Sequence, residues 1–159
     1  MKVFLRAVTV GIVAILMLGM ELPAQSADPV VGTWKLNVAK SKFSPGPAPK
    51  SETRTYAVAG QDIKGTAKGV DSSGKPTASE WTMNYDGKDR PFVGSQDADT
   101  LSLKRVDASS AEFTQKKAGK VVITGTRSIS QDGKVMTITS KGTNAGGQAI
   151  SNVQVFEKR

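Results

Sequence analysis

The stretch AEFTQKKAGKVVITGTRSI, residues 111–129, contains two alternating segments joined by a turn. Apolar residues occupy alternate positions in both segments: Ala111 and Phe113 in the first, and Val121, Ile123 and Ile129 in the second. A period of two is typical of β-strands that bury one face. Between the segments, Lys117-Ala118-Gly119-Lys120 has the Gly that a tight hairpin needs for a positive φ. The stretch therefore predicts a β-hairpin.

The same pattern recurs along the rest of the chain. Further alternating segments occur at residues 30–38, 81–85, 101–104, 136–139 and 150–158. Turn sequences rich in Asp, Ser and Gly separate strand patterns at residues 71–74, 86–88, 107–110, 131–134 and 144–147. No stretch after residue 27 shows sustained helical spacing. We predict an all-β, antiparallel up-and-down meander of about eight to ten strands, joined by hairpin-length links.

A meander of this size has two exposed edges unless it closes on itself. Closure into a small barrel removes both edges, and it is the arrangement that we favour. Gly65, Gly69 and Gly125 lie inside strand patterns, where they suit the bends that closure needs. A flat β-sandwich is the alternative. The Pro-rich residues 44–49 cannot form a helix or a central strand, so a stiff loop is expected after the first strand.

The first 27 residues have the features of a secretory signal peptide. Lys2 and Arg6 precede an uncharged run from Ala7 to Met20, and small residues follow at Ala24, Ser26 and Ala27. The run of 14 residues is shorter than the roughly 20 that a membrane anchor needs. No Cys follows it, which excludes a lipid-anchored lipoprotein. We expect a signal-peptide helix at 1–27, one domain at 28–159, and a periplasmic or secreted monomer with no transmembrane segment after cleavage.

The composition excludes several classes of function. The chain has no Cys and no His, so disulfides, thiolate nucleophiles, Ser-His-Asp triads and His/Cys metal sites are impossible. No phosphate-binding loop or nucleophile elbow is present, and Glu52, Glu80 and Glu112 fall mainly on the polar strand faces. The net charge of +8 is spread over strands and turns without a nucleic-acid motif. We therefore predict that the protein is not an enzyme and that it binds neither a cofactor nor a nucleic acid. Its positive charge leaves weak contact with anionic envelope surfaces as an option.

Both ends of the domain resemble a known superfamily. Gly32-Thr33-Trp34-Lys35-Leu36 resembles the opening strand of the calycins, which include lipocalins and fatty-acid-binding proteins. Val155-Phe156-Glu157-Lys158 resembles the last strand of the fatty-acid-binding group. The resemblance implies a barrel whose first and last strands pair around a cavity for a small apolar ligand. The helical lid of that group is replaced by the Pro-rich loop, and its carboxylate-binding Arg-x-Tyr is replaced by Gln154-Val155-Phe156.

Candidate ligand-binding residues are three arginines, three aromatic residues and one methionine that share the phase of apolar neighbours. They are Arg54, Tyr56, Trp81, Met83, Tyr85, Arg105 and Arg127. A buried arginine needs a partner, which an acidic ligand group can provide. The structural alternatives are arginines that reach water at strand ends or stack on Trp34, and a Trp81–Tyr85 stripe that is simply core wall. Trp34 itself is expected to be a core plug at the barrel base.

A bound cation is the weakest of the site hypotheses. Asp97 and Asp99, with Asp86 and Asp89 nearby, are the only candidates, but they lack the spacing of a calcium loop and turn chemistry already explains them. We therefore assign no metal. The function expected from the sequence is binding of a small apolar or amphipathic molecule, with an anionic group as an option. The alternative is a filled barrel whose basic exterior docks on envelope components.

Overall fold

A computed structural model describes residues 27–159. It contains ten strands and one short 3-10 helix at Val38–Lys40. The strands are β1 (Gly32–Leu36), β2 (Ser51–Ala59), β3 (Asp62–Val70), β4 (Pro76–Met83), β5 (Arg90–Val93), β6 (Thr100–Arg105), β7 (Ser110–Lys117), β8 (Lys120–Ile129), β9 (Val135–Thr143) and β10 (Ala149–Lys158). The hairpin predicted at residues 111–129 is confirmed as β7 and β8. The signal-peptide prediction falls almost entirely on residues 1–26, which lie outside the described part of the chain.

The ten strands close into a single antiparallel barrel. Each strand pairs with its neighbours in sequence, and β1 pairs with both β2 and β10. In this closing contact Trp34 lies opposite Lys158 on one side and Arg54 on the other. The predicted barrel is confirmed over the sandwich, as is the pairing of first and last strands that the calycin resemblance implies. Closure pairs the first and last strands, so within residues 27–159 neither β1 nor β10 is a free edge strand.

One end of the barrel is closed by the residues that precede β1. Asp28, Pro29, Val30 and Val31 form a tight turn, in which the Val31 N–H donates to the Asp28 carbonyl at 2.9 Å. Val30 is fully buried, and its carbonyl accepts a hydrogen bond of 2.7 Å from the Trp34 indole. We call this end the floor. Trp34, Met83, Met136 and Phe156 are among the largest fully buried side chains of residues 27–159, so the prediction that Trp34 is a core residue is confirmed.

Glycines allow the walls to pack closely where large side chains cross the interior. A Cβ on Gly65 would lie 2.3 Å from the Trp81 indole, and one on Gly125 would lie 2.5 Å from the Phe113 ring. Both distances are far below normal contact, so only Gly lets these rings lie flat against the opposing backbone. The two residues therefore leave room for aromatic rings of the paired strands; the bends expected at the strand glycines stay a prediction.

One loop agrees with the sequence analysis. Residues 43–50 form a loop without helix or strand, as the prolines predict. Within residues 27–159, no helix has the length and hydropathy required to cross a membrane.

Candidate functional site

The interior of the barrel contains a cavity of about 560 Å³. It opens at the end opposite the floor, which we call the mouth, where Pro49, Asp71, Pro76 and Gly94 line it. A volume of this size lies within the range of small-molecule sites in proteins, about 300–1,000 Å³. The barrel is therefore not filled by its own side chains.

The two sides of the cavity differ in chemistry. Strands β4 to β8 contribute mainly apolar side chains: Trp81, Met83, Phe92, Leu101, Leu103, Phe113 and Ile123. Strands β2, β9 and β10 contribute mainly polar side chains, Glu52, Arg54, Ser140, Asn152 and Gln154, and β4, β7 and β8 add the polar Thr77, Ser79, Gln115 and Arg127. Trp81 is fixed between Tyr56 and Phe92, with edge-on ring contacts at centroid distances of 5.7 and 5.5 Å. The cavity can thus hold an apolar body and offer hydrogen bonds along one side.

Arg54 is neutralised by an acid on its own strand. Its Nε donates to the Glu52 carboxylate at 2.5 Å, because residues two apart on a strand share a face. The guanidinium also lies 4.8 Å from the centre of the Phe156 ring. Burial alone would lower the pKa of Arg54, but the charge and hydrogen bond of Glu52 outweigh it and raise the pKa. Glu52 therefore faces the cavity. The sequence analysis had expected this acidic residue on the polar face of its strand.

Arg127 has no acidic partner within residues 27–159 and is almost completely buried, with 4% of its surface exposed. One terminal nitrogen donates to the Tyr85 hydroxyl at 2.5 Å, and the other contacts the Met83 sulfur at 3.4 Å. Its Nε is the one buried side-chain nitrogen or oxygen in the described residues that lacks a hydrogen-bond partner. A buried, unpaired donor on a cation is unfavourable until an acceptor reaches it.

The Tyr85 hydroxyl does not neutralise Arg127. Burial raises the pKa of Tyr85, despite the charge and hydrogen bond of Arg127 that favour ionisation. The phenol therefore stays protonated near neutral pH. Arg127 consequently remains an uncompensated positive charge on the cavity wall.

Arg105 and Asp28 form an ion pair at the floor. The Arg105 guanidinium donates to the Asp28 carboxylate and lies 3.6 Å from the centre of the Tyr85 ring. Asp28 also accepts the Val30 N–H at 2.9 Å. Burial alone would raise the pKa of Asp28, but the hydrogen bonds from Arg105 and the Val30 N–H outweigh it and hold the pKa below its usual value. This pair ties the N-terminal turn to the barrel.

Five of the seven candidate residues line the cavity: Arg54, Tyr56, Trp81, Met83 and Arg127. The other two, Tyr85 and Arg105, lie past or at the ends of their strands, β4 and β6, beside the N-terminal turn and outside the cavity lining. The sequence analysis gave stacking of arginines on Trp34 as one structural alternative. Neither Arg105 nor Arg127 lies over the Trp34 ring; the Lys158 Nζ lies there instead, 5.1 Å from the ring centre. A ligand-binding role for these seven residues stays a prediction.

The sequence analysis missed several polar residues of the cavity. They are Glu52, Gln115, Ser140, Asn152 and Gln154. Asn152 and Gln154 could have been found by counting back in steps of two from Phe156, which is fully buried. The apolar Val153 and Val155 on the opposite face obscured that phase.

The acidic residues weighed for a cation have other contacts. Each meets a basic side chain or a backbone N–H: Asp86 meets Arg90, Asp89 meets Lys116, Asp97 accepts from Ala145, and Asp99 accepts from Ala118. Over the described range 27–159, no group of three or more acidic residues is arranged to hold a metal ion.

No protein-family model matches the chain, and no curated protein is similar to it in sequence. Two β-barrels are among the solved structures that are similar in shape. One is a redesigned β-barrel bound to DFHBI, with 12% identity over 82% of this chain and 95% of that chain, at a TM-score of 0.46. The other is the zebrafish ileal bile-acid-binding protein complexed with cholic acid, with 12% identity over 82% of this chain and 99% of that chain, at a TM-score of 0.48. The ten-stranded barrel of this chain is established by its own strand pairing.

Proposed function

We propose that the protein is exported and binds a small, partly apolar molecule with an acidic group inside its barrel. The observation that carries this proposal is the cavity of about 560 Å³ with the buried, acid-free Arg127 on its wall. The charged N-terminal start, apolar run and small residues within 1–27 support export to the periplasm or beyond.

The apolar side of the cavity would remove the ligand body from water. Burying about 200 Å² of apolar ligand surface gains about 5 kcal/mol at about 25 cal/mol per Å². The loss of translational and rotational freedom on association is of similar size, about 4–15 kcal/mol. Apolar contact alone therefore gives weak binding, and the polar contact at Arg127 has to supply the remaining affinity and the orientation.

Arg127 favours a ligand with an acidic group over a neutral ligand. Its guanidinium is a buried cation that lines the cavity without an acidic partner in residues 27–159, and charge-assisted hydrogen bonds to a carboxylate or similar oxygen are roughly twice as strong as neutral ones. The ligand charge would also compensate the buried guanidinium. Arg54 is less suited to this role because Glu52 already pairs with it.

Binding is favoured over the other two classes of function. The docking alternative requires a filled interior, whereas about 560 Å³ of this barrel is open. Catalysis would need a group that moves protons or attacks a substrate near neutral pH, but the chain has no His or Cys. The raised pKa values of Arg54 and Tyr85 keep both groups protonated there.

Titration of the mature protein with N-phenylnaphthylamine, a neutral dye that fluoresces in apolar surroundings, tests the proposal. We expect saturable binding at one site. Ser140 faces the cavity, so Ser140→Phe should fill part of it and weaken binding by about tenfold or more. The neighbouring Thr139 is exposed, so Thr139→Phe is the matched control and should leave the affinity unchanged.

No saturable fluorescence, or equal effects of the two substitutions, would contradict a binding site within the barrel. Export is tested separately by N-terminal sequencing of the protein from its host. The sequence should begin after one of residues 24–27.

A further inference from the structure

Three polar side chains form a short strip on the cavity wall, which we call the polar strip: Ser140 on β9, and Asn152 and Gln154 on β10. Ser140 and Asn152 lie directly opposite each other across the two strands, and Gln154 follows two residues along β10 on the same face. In the closed ring of ten strands, β9 and β10 lie across from β4 and β5, which carry Trp81 and Phe92. A ligand body between these walls would meet aromatic rings on one side and the polar strip on the other.

The polar strip has hydrogen-bonding capacity that the protein leaves unused. Ser140 has only 9% of its surface exposed, and neither its hydroxyl nor the Gln154 amide is hydrogen-bonded to another group of residues 27–159. Asn152 accepts the Ser44 N–H at 3.0 Å, which fixes the amide and leaves its NH2 group to donate. None of these groups is sealed from the cavity, because the Arg127 Nε is the one sealed side-chain nitrogen or oxygen without a partner in this range.

We infer that the acidic ligand carries a hydroxyl group in the middle of its apolar body, and that Ser140, Asn152 and Gln154 bind this hydroxyl. The assignment rests on the proposed function, because it specifies the same ligand. A hydroxyl both donates and accepts, as the polar strip does, whereas a ketone or ether oxygen only accepts. A plain alkyl chain would displace water from the polar strip without replacing its hydrogen bonds, which costs affinity.

The neighbours of the polar strip define where the hydroxyl lies along the ligand. Ile150 follows on the mouth side, and Ile138 and Phe156 follow on the floor side. Arg127, near the floor end of β8, lies opposite Ile138, which in turn lies opposite Gln154. The two outer residues are thus two strands apart, about 10 Å along the sheet. With its acid group at Arg127, a ligand would therefore present a hydroxyl several carbons away to the polar strip, and its far end to the mouth.

Most other polar residues of the lining are paired or lie near the mouth. Glu52 and Arg54 bind each other. The following lie in mouth loops or near the mouth ends of their strands: Asp71, Thr77, Ser79, Gln96, Asp97 and Gln115. The charged groups act equally on ligands that share one carboxylate, so a comparison of such ligands isolates the effect of a hydroxyl.

Decanoate, 5-hydroxydecanoate and 10-hydroxydecanoate are suitable probes, because they share one carboxylate and one chain length. Each is titrated against N-phenylnaphthylamine bound to the mature protein, and displacement of the dye gives its affinity. We expect 5-hydroxydecanoate to bind about three- to tenfold more tightly than decanoate, through hydrogen bonds to the polar strip. The terminal hydroxyl of 10-hydroxydecanoate would lie beyond the polar strip, so this probe should show no such gain.

Gln154→Leu and Ser140→Ala remove polar groups without breaking a hydrogen bond within residues 27–159, so both variants should fold. In each, the ratio of 5-hydroxydecanoate to decanoate affinity should fall toward one, and it should fall furthest in the double variant. Decanoate itself should bind at least as tightly as before, because its chain then meets apolar groups. Gln61 is exposed in the β2–β3 turn, so Gln61→Leu is the matched control and should leave the ratio unchanged.

Equal affinities of the original protein for 5-hydroxydecanoate and decanoate would overturn the assignment, as would a hydroxyl advantage that survives in the double variant. An equal gain for 10-hydroxydecanoate would also contradict it, because the polar strip would then not select the position of the hydroxyl. The proposed function has a separate outcome. If neither the dye nor decanoate binds, that function fails; if both bind and the hydroxyl brings no advantage, only the role of the polar strip fails.

Discussion

Replacing Arg127 by methionine separates a ligand contact from a structural one. The change removes the hydrogen bond from Arg127 to Tyr85, which as a charge-assisted contact is worth about 1.5–3 kcal/mol. It also removes the unpaired buried Nε, whose desolvation costs about 1–3 kcal/mol. These contributions nearly cancel, and methionine fills similar space beside Met83. We expect the free energy of unfolding to change by less than about 1 kcal/mol, measured by urea denaturation.

The same substitution should weaken decanoate binding strongly. Loss of one charge-assisted hydrogen bond of about 1.5–3 kcal/mol corresponds to a roughly 10- to 150-fold weaker affinity. Decanol binding should stay within about twofold, because it does not need the charge. Arg105→Met is the comparison: it removes the partner of Asp28 at the floor and should lower stability by about 1 kcal/mol, since this pair is partly exposed. Unfolding of Arg127→Met, or unchanged decanoate affinity, would refute the assignment of Arg127 to ligand binding.

Three further substitutions test the fold around the site. Gly65→Ala should displace the Trp81 indole, which a Cβ would meet at 2.3 Å, and lower the unfolding free energy by about 1–3 kcal/mol with an altered tryptophan emission. Ala118 has a φ of +48° in the β7–β8 turn, so Ala118→Asn, which creates the favoured Asn-Gly turn, should raise stability by about 0.5–1 kcal/mol in urea denaturation. The pKa of Asp28 is lowered by folding, so its stabilising contribution is present above its unfolded pKa of about 4 and is lost as pH falls through the folded value. The stability difference between the original protein and Asp28→Asn, measured by urea denaturation, should therefore be constant near neutral pH and shrink in acid; a difference that does not change with pH would contradict it.

Alternation was sufficient to predict the strands and hairpins because strand faces and turns are local properties. Ala111 and Phe113 alternate with polar residues over a few positions, and the Gly119 turn lies between adjacent strands. Closure followed from the number of strands and from the Gly-x-Trp and final-strand resemblance. Both kinds of signal are carried by neighbouring residues and need no knowledge of distant contacts.

The chemistry of the site depends on contacts between residues that are far apart in sequence. Asp28 and Arg105 are 77 residues apart, and Arg127 and Tyr85 are 42 apart. No periodicity relates such residues. The sequence could therefore place Arg127 in phase with the apolar residues of its strand, but it could not show that its neighbour in the fold is the protonated phenol of Tyr85. Glu52 was misread for a related reason: an acid two positions from Arg54 is tolerated inside because the two neutralise each other.

A crystal structure of the mature protein with decanoate tests the central claim most directly. We predict density for the alkyl chain along the apolar wall formed by Trp81, Phe113 and Ile123, with a carboxylate oxygen about 2.7–2.9 Å from a nitrogen of the Arg127 guanidinium. The N-terminal turn from Asp28 to Val31 should stay in place under the floor. Decanoate bound only on the outer surface, or a barrel interior filled by side chains with Arg127 paired to an acid, would contradict it.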